Sequence, residues 1–131
     1  MRCRIVDNPP RLRTRGEIWA VLEDGYLISN FGRVWSLKRG KLLACCRNTS
    51  GYYRFRVFRE GAQKWHFVHI KVVEIFGDRN GVVFGSDVVS LVDNGLSIDH
   101  VNGFKKDNAI GNLEIVTHSE NCRRFHARVR A

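Results

Sequence analysis

Within the stretch SIDHVNGFKKDNAIGNLEIVTHSEN, residues 97–121, five side chains have the types and spacing to do chemistry. Asp99 and His100 stand side by side, and Asn112, His118 and Asn121 follow. A carboxylate and an amide oxygen are hard donors of the kind that Mg2+ takes, and Mg2+ keeps several waters when it binds. Asp99 and Asn121 would make a sparse site of this sort, completed by water and by phosphate oxygens. Neutral imidazole takes a proton from water near neutral pH, so His100 suits a general base. The ion would stabilise the charge that develops on a leaving oxygen. Together these are the parts of a phosphodiester hydrolase. The same residues could also form an ordinary exposed loop, and the elements around them decide between the two.

Residues 96–101 read as a strand ended by Asn102-Gly103, and residues 113–116 as a second strand. Thr117 is placed as an N-cap with Glu120 as its return partner. A helix is therefore expected from about His118 toward the C-terminus, carrying Asn121, Arg124, Phe125 and Arg128. Neighbouring strand residues point to opposite faces. Asp99 and His100 can share one site only where the strand end twists or bulges, which Asn102-Gly103 would allow. The helix must then pack across both strands.

Upstream, Asp24-Gly25 is a turn between apolar runs, and short strands break at Asn30-Phe31-Gly32. Tyr53, Phe55 and Val57 alternate with Arg54 and Arg56, giving a strand with one apolar and one basic face. Residues 63–77 begin as strand and continue as helix, because Val68, Val72, Val73 and Phe76 recur at helical spacing before Gly77. Trp19, Trp35 and Trp65 are assigned to the core. His69 is read as a packed histidine bonded to backbone.

"IDHVNG" and "NAIGNLEIVTHSEN", at this separation, resemble the HNH endonucleases, the ββα-metal nucleases, and in particular the phage and intron homing type. "EIWAVLEDGYLISNFGRVWSL" resembles a helper motif that often precedes the HNH domain, and "HFVHIKVVEIFG" resembles the His-containing helix between the two. The resemblance spans most of residues 18–128. It implies that Asp99 and Asn121 hold the metal, that His100 is the general base, and that Asn112 holds the loop and the base in position. Residues 78–96 are longer than the usual connector, so an inserted hairpin is expected there. Relatives with strong site specificity often carry a C-terminal helix-turn-helix reader, for which the sequence shows no room.

The expected fold is α+β: a basic flexible arm (1–16), a β-rich helper region (17–65) and an HNH nuclease core (66–131). The 131 residues hold 22 Lys+Arg against 13 Asp+Glu, a net charge of +9, which favours a polyanionic partner. DNA is the expected partner, although the sequence alone does not separate DNA from RNA. Arg54, Arg56, His118, Arg124 and Arg128 are the candidate contacts, since Arg serves phosphates as well as base edges. No long apolar segment or signal core is seen, so a cytoplasmic protein without a membrane partner is expected. Cys3, Cys45, Cys46 and Cys122 lack CxxC spacing, so no structural zinc is expected. The function expected is a metal-dependent DNA endonuclease that nicks with one divalent ion, Mg2+ or else Mn2+, and acts as a monomer, with a dimer as the alternative. The alternative is a DNA-binding accessory protein that keeps the scaffold and cuts little or not at all.

Overall fold

The computed structural model describes residues 5–9, 12, 14–77 and 95–130. Its fold is α+β, in the order read from the sequence. Five strands, β1 (Ile5–Val6), β2 (Trp19–Glu23), β3 (Tyr26–Ser29), β4 (Val34–Ser36) and β5 (Lys41–Leu42), form an antiparallel meander. The Asp24-Gly25 turn joins β2 to β3, with Gly25 at φ 86°, a conformation that glycine adopts without a Cβ penalty. Strands β6 (Cys46–Arg47), β7 (Tyr53–Arg59) and β8 (Ala62–Phe67) make a second sheet. Helix α1 (Val68–Phe76) continues directly from β8. Then β9 (Leu96–His100) pairs with β10 (Leu113–Thr117), and α2 (His118–Arg130) follows at once.

The alternation along β7 has the expected result. Phe55 and Val57 are buried, and Arg56 is exposed on the other face. Val68, Val72, Val73 and Phe76 form the buried stripe of α1. They meet Ala20, Ile28 and Val34 from the first sheet, Phe55 and Val57 from the second, and Ile98, Ile110 and Leu113 from the C-terminal unit in one cluster. Trp19, Leu27 and Trp35 form a smaller cluster of their own.

Several expectations change. Ile5 and Val6, assigned to a flexible arm, are a strand paired with Ala20 and Trp19, because two apolar residues suffice to extend the open edge of β2. The boundary drawn between residues 65 and 66 falls inside β8, which runs unbroken through Phe67 into α1. Trp65 is 43% exposed and lies against Arg54 and Arg56 instead of the core, since it occupies the outer face of β8. Helix α1 does end at Phe76 with Gly77 as its C-cap, though Gly77 takes helical angles, φ −54° and ψ −49°, and not the left-handed ones that glycine caps often adopt. The hairpin expected over residues 78–96 lies almost wholly outside the described residues.

Candidate active site

The C-terminal unit is strand, loop, strand and helix. Its loop is fastened by Asn112, whose Oδ1 accepts the backbone N–H of Asn102 (3.0 Å) and whose amide donates to Asn102 Oδ1 (2.9 Å) and Asp107 O (2.8 Å). The Val101 N–H bonds Asn112 O at 2.8 Å, and the Gly103 N–H returns to His100 O at 2.8 Å. Asn112 thus ties the two ends of the loop together, and among the described residues its side chain makes no hydrogen bond to the imidazole of His100.

That contact comes from Asn108, a residue that sequence reasoning missed. His100 Nε2 lies 2.7 Å from Asn108 Oδ1, and both residues are buried. An amide oxygen only accepts, so Nε2 carries the proton and the lone pair of the neutral ring is on Nδ1. Burial pushes the His100 pKa below its ordinary value. The Asn108 bond and the Asp99 charge oppose this without reversing it. The ring is therefore neutral at neutral pH. On its other side His69 lies 5.4 Å away and Tyr52 6.1 Å away, centroid to centroid, and Tyr52 stacks on His69 at 4.9 Å. His69 is buried as expected, but among the described residues its Nδ1 has no hydrogen-bond partner, and rings pack against it. Burial, with His100 and Lys105 nearby, pushes its pKa down to about 3.

Asp99 is almost fully buried at the end of β9, opposite Glu114. Burial works to raise its pKa, yet hydrogen bonds and charge from Arg128 and Arg124 outweigh it and hold the carboxyl below its ordinary value. Arg124 Nη1 donates to Oδ2 at 2.9 Å, and Arg128 reaches both oxygens at 3.2 Å. Pairing of β9 with β10 is regular through His100. The expected bulge is therefore not needed. Asp99 faces α2 and His100 faces Asn108, and both line one pocket at the strand end. That pocket, of about 250 Å3, is also lined by Tyr52, Lys105, Asn121, Cys122 and Arg128.

Asn121 reaches the pocket because Thr117 starts α2 where it does. Thr117 Oγ1 accepts the Glu120 N–H at 3.1 Å. The second half of the capping box is not made, since the Glu120 carboxylate turns to Arg123 and Arg124. His118 is exposed, 3.8 Å from Cys122 Sγ. Arg54 and Arg56 lie away from the pocket, with their guanidiniums 4.3 and 5.2 Å from the ring centroid of Trp65.

Among the described residues no three His, Cys, Asp or Glu side chains converge on a metal position. The pocket does offer an ionised carboxylate and the Asn121 amide, whose side chain has no partner among the described residues. Two hard oxygen donors fit a divalent cation that takes its remaining ligands from water and substrate. They do not fit zinc, which prefers a closed set of sulfur and nitrogen donors.

The upstream motif builds the wall behind this loop. Asn30 Oδ1 accepts the Ile18 N–H, and its own carbonyl accepts the Ile110 N–H at 2.8 Å. A Cβ on Gly32, at φ 85°, would stand 2.9 Å from Asn108 Cβ. Arg33 is pinned by a bidentate pair to Glu17.

Residues 17–58 match the NUMOD4 motif and residues 91–123 match an HNH endonuclease model. The chain is 33% identical over 99 residues to the DNA endonuclease I-HmuI of Bacillus phage SP01, which covers 76% of this chain and 50% of that protein. A solved structure described as DNA binding and cleavage by the HNH homing endonuclease I-HmuI superposes with a TM-score of 0.63 at 30% identity, covering 84% of this chain and 56% of the other. The chain thus spans about half the length of the relative it matches. The strand-loop-strand-helix unit that carries Asp99, His100, Asn112 and Asn121 is thus matched as an HNH endonuclease domain, preceded by a NUMOD4 motif, in a chain similar to an HNH homing endonuclease.

Proposed function

We propose that the protein is a metal-dependent DNA endonuclease that hydrolyses one phosphodiester at a time. The observation that carries this is the convergence of Asp99, a neutral His100 and Asn121 on one open pocket. Asp99 and Asn121 hold one divalent cation, Mg2+ with Mn2+ as a substitute, and the bound ion supplies charge stabilisation at the leaving oxygen. His100 acts as general base. Asn108 keeps the proton on Nε2, so Nδ1 receives the proton of the attacking water. Asn112 keeps the loop closed around that imidazole. His118, Arg124 and Arg128 contact phosphates beside the pocket, and Arg54 and Arg56 do so along β7. A single Asp99–His100–Asn121 site among the described residues suits a monomer that nicks. The described residues contain no helix long and apolar enough to cross a membrane.

The test is relaxation of supercoiled plasmid with and without Mg2+. The expected result is metal-dependent open circles, with His100→Ala losing ~10²–10⁴ in rate while DNA affinity holds. DNA binding without cleavage under every divalent metal would instead favour the accessory-protein reading.

A further inference from the structure

The guanidinium of Arg128 occupies a built seat. Nη1 donates to Asp99 Oδ1 at 3.2 Å, and Nη2 to Asp99 Oδ2 at 3.2 Å, His100 O at 3.0 Å and Val101 O at 3.2 Å. Its stem passes over Gly103, where φ is 80° and a Cβ would come within 3.1 Å of Arg128 Cδ. Arg124 also bonds Asp99, but it divides its donors among Asp99, Glu114 and Glu120. Arg128 therefore has both terminal nitrogens on the strand end that carries Asp99 and His100. A carboxylate oxygen that accepts a guanidinium N–H has less of its lone-pair density to offer a cation, and the fixed positive charge repels one. Phosphate is the ligand best suited to draw the fork away, because guanidinium pairs with phosphate in the same bidentate geometry as with carboxylate. Arg128 is exposed at the pocket rim, where a phosphate can reach it.

We infer that Arg128 is a positioning residue that couples metal binding to DNA binding. In the free protein its guanidinium holds Asp99 and weakens the site for a divalent cation. A DNA phosphate at the pocket takes over the guanidinium and releases the carboxylate to the ion. This rests on the reading of Asp99 as a metal ligand. Coupling between two binding events is reciprocal, so DNA tightens metal binding and the metal tightens DNA binding by one common factor.

The experiment measures free and bound Mn2+ by electron paramagnetic resonance on the full chain, in a His100→Ala background so that DNA stays intact. Each protein is titrated alone and with a saturating short duplex of mixed sequence. With Arg128 present, the duplex is expected to tighten Mn2+ binding by about tenfold, roughly the effect of one hydrogen bond to a charged group. Arg128→Gln gains that factor without DNA, and the duplex then adds little. Arg128→Lys, which keeps the charge but cannot span both oxygens, falls between. If free Arg128→Gln protein binds Mn2+ no more tightly than its parent, while Asp99→Asn abolishes binding in both, the coupling is wrong and Asp99 remains a ligand. If Asp99→Asn binds Mn2+ as well as its parent does, the reading of Asp99 is itself wrong.

Discussion

Removal of the Asn108 side chain tests how the imidazole is set. Asn108→Ala deletes the oxygen 2.7 Å from His100 Nε2 in a buried place where water is poorly placed to substitute. A buried donor left without its acceptor costs about 1–3 kcal/mol. The ring can escape part of that cost by turning or by moving its proton to Nδ1, and either change removes the lone pair that would accept the proton from water. If the cost appears as a shift away from the competent tautomer, cleavage falls by ~10- to 100-fold, because each 1.4 kcal/mol is a factor of ten. DNA affinity should hold, since Asn108 is buried and presents nothing to a duplex. Asn108→Asp separates geometry from charge. It keeps an acceptor in place but adds a negative charge beside the ring, which raises the His100 pKa. The acid limb of the single-turnover rate against pH should then move to higher pH. Single-turnover plasmid nicking across a pH series, with melting curves to confirm folding, provides the assay. A folded Asn108→Ala protein that cuts at the parent rate with an unshifted profile would refute the role of this bond.

Gly32→Ala should destabilise the protein by about 1–3 kcal/mol, because it forces a positive φ on a side chain and drives a Cβ into Asn108. Its nicking rate should fall as well, whereas Gly40→Ala, also at positive φ but with open space around it, should leave the rate alone. Asp99→Asn should abolish nicking in Mg2+ and in Mn2+, as read by plasmid relaxation. The pH dependence of melting has a definite sign. His69 and His100 have folded pKa values below their unfolded value, so their contribution is complete above about pH 6.5 and is lost as pH falls toward the folded values, about 3 for His69. A melting temperature that stays flat from neutral pH down to about 4 would contradict that. DNA affinity should fall steeply with salt, with a log–log slope of about −0.9 for each phosphate neutralised, and a flat response would undercut the reading of the net charge.

The site residues legible in the sequence were those whose signal is local. Thr117 and Glu120 marked the start of α2, and that start fixed the turn on which Asn121 lies. Asp24-Gly25 marked its hairpin, and the alternation in β7 separated Phe55 and Val57 from Arg56. Asn108, Tyr52 and Lys105 were missed because their roles depend on contacts remote in sequence. Asn108 is one polar residue among several in "KKDNAIGN", and only closure of the strand-loop-strand unit brings it to His100. Tyr52 arrives from the loop before β7, where Asn48 Oδ1 accepts the N–H groups of Ser50 and Tyr52. Lys105 then lies over the Tyr52 ring at 4.4 Å and donates to Ser50 O at 2.8 Å. Trp65 misled because size alone suggested burial, whereas its position on the outer face of β8 gives its ring two guanidinium partners.

These contacts assign the helper motif a structural task inside the site. Asn30 and Gly32 form the surface against which the loop from Val101 to Asn112 closes, through one backbone hydrogen bond to Ile110 and an approach of Gly32 to Asn108 that leaves no room for a Cβ. Ser29 Oγ accepts the N–H groups of Phe31 and Arg33, and Arg33 is in turn fastened to Glu17, so the turn that presents Asn30 and Gly32 has its own internal bracing. Side chains from both parts share one apolar cluster, and separating them would expose Ile110 and Leu113 together with Ala20 and Ile28. An HNH segment cut away from the motif would therefore lose both the wall behind Asn108 and much of its own core. A chain beginning at residue 66 should accordingly melt without a cooperative transition, and the motif is better regarded as part of the catalytic scaffold than as a detachable reader placed upstream of it.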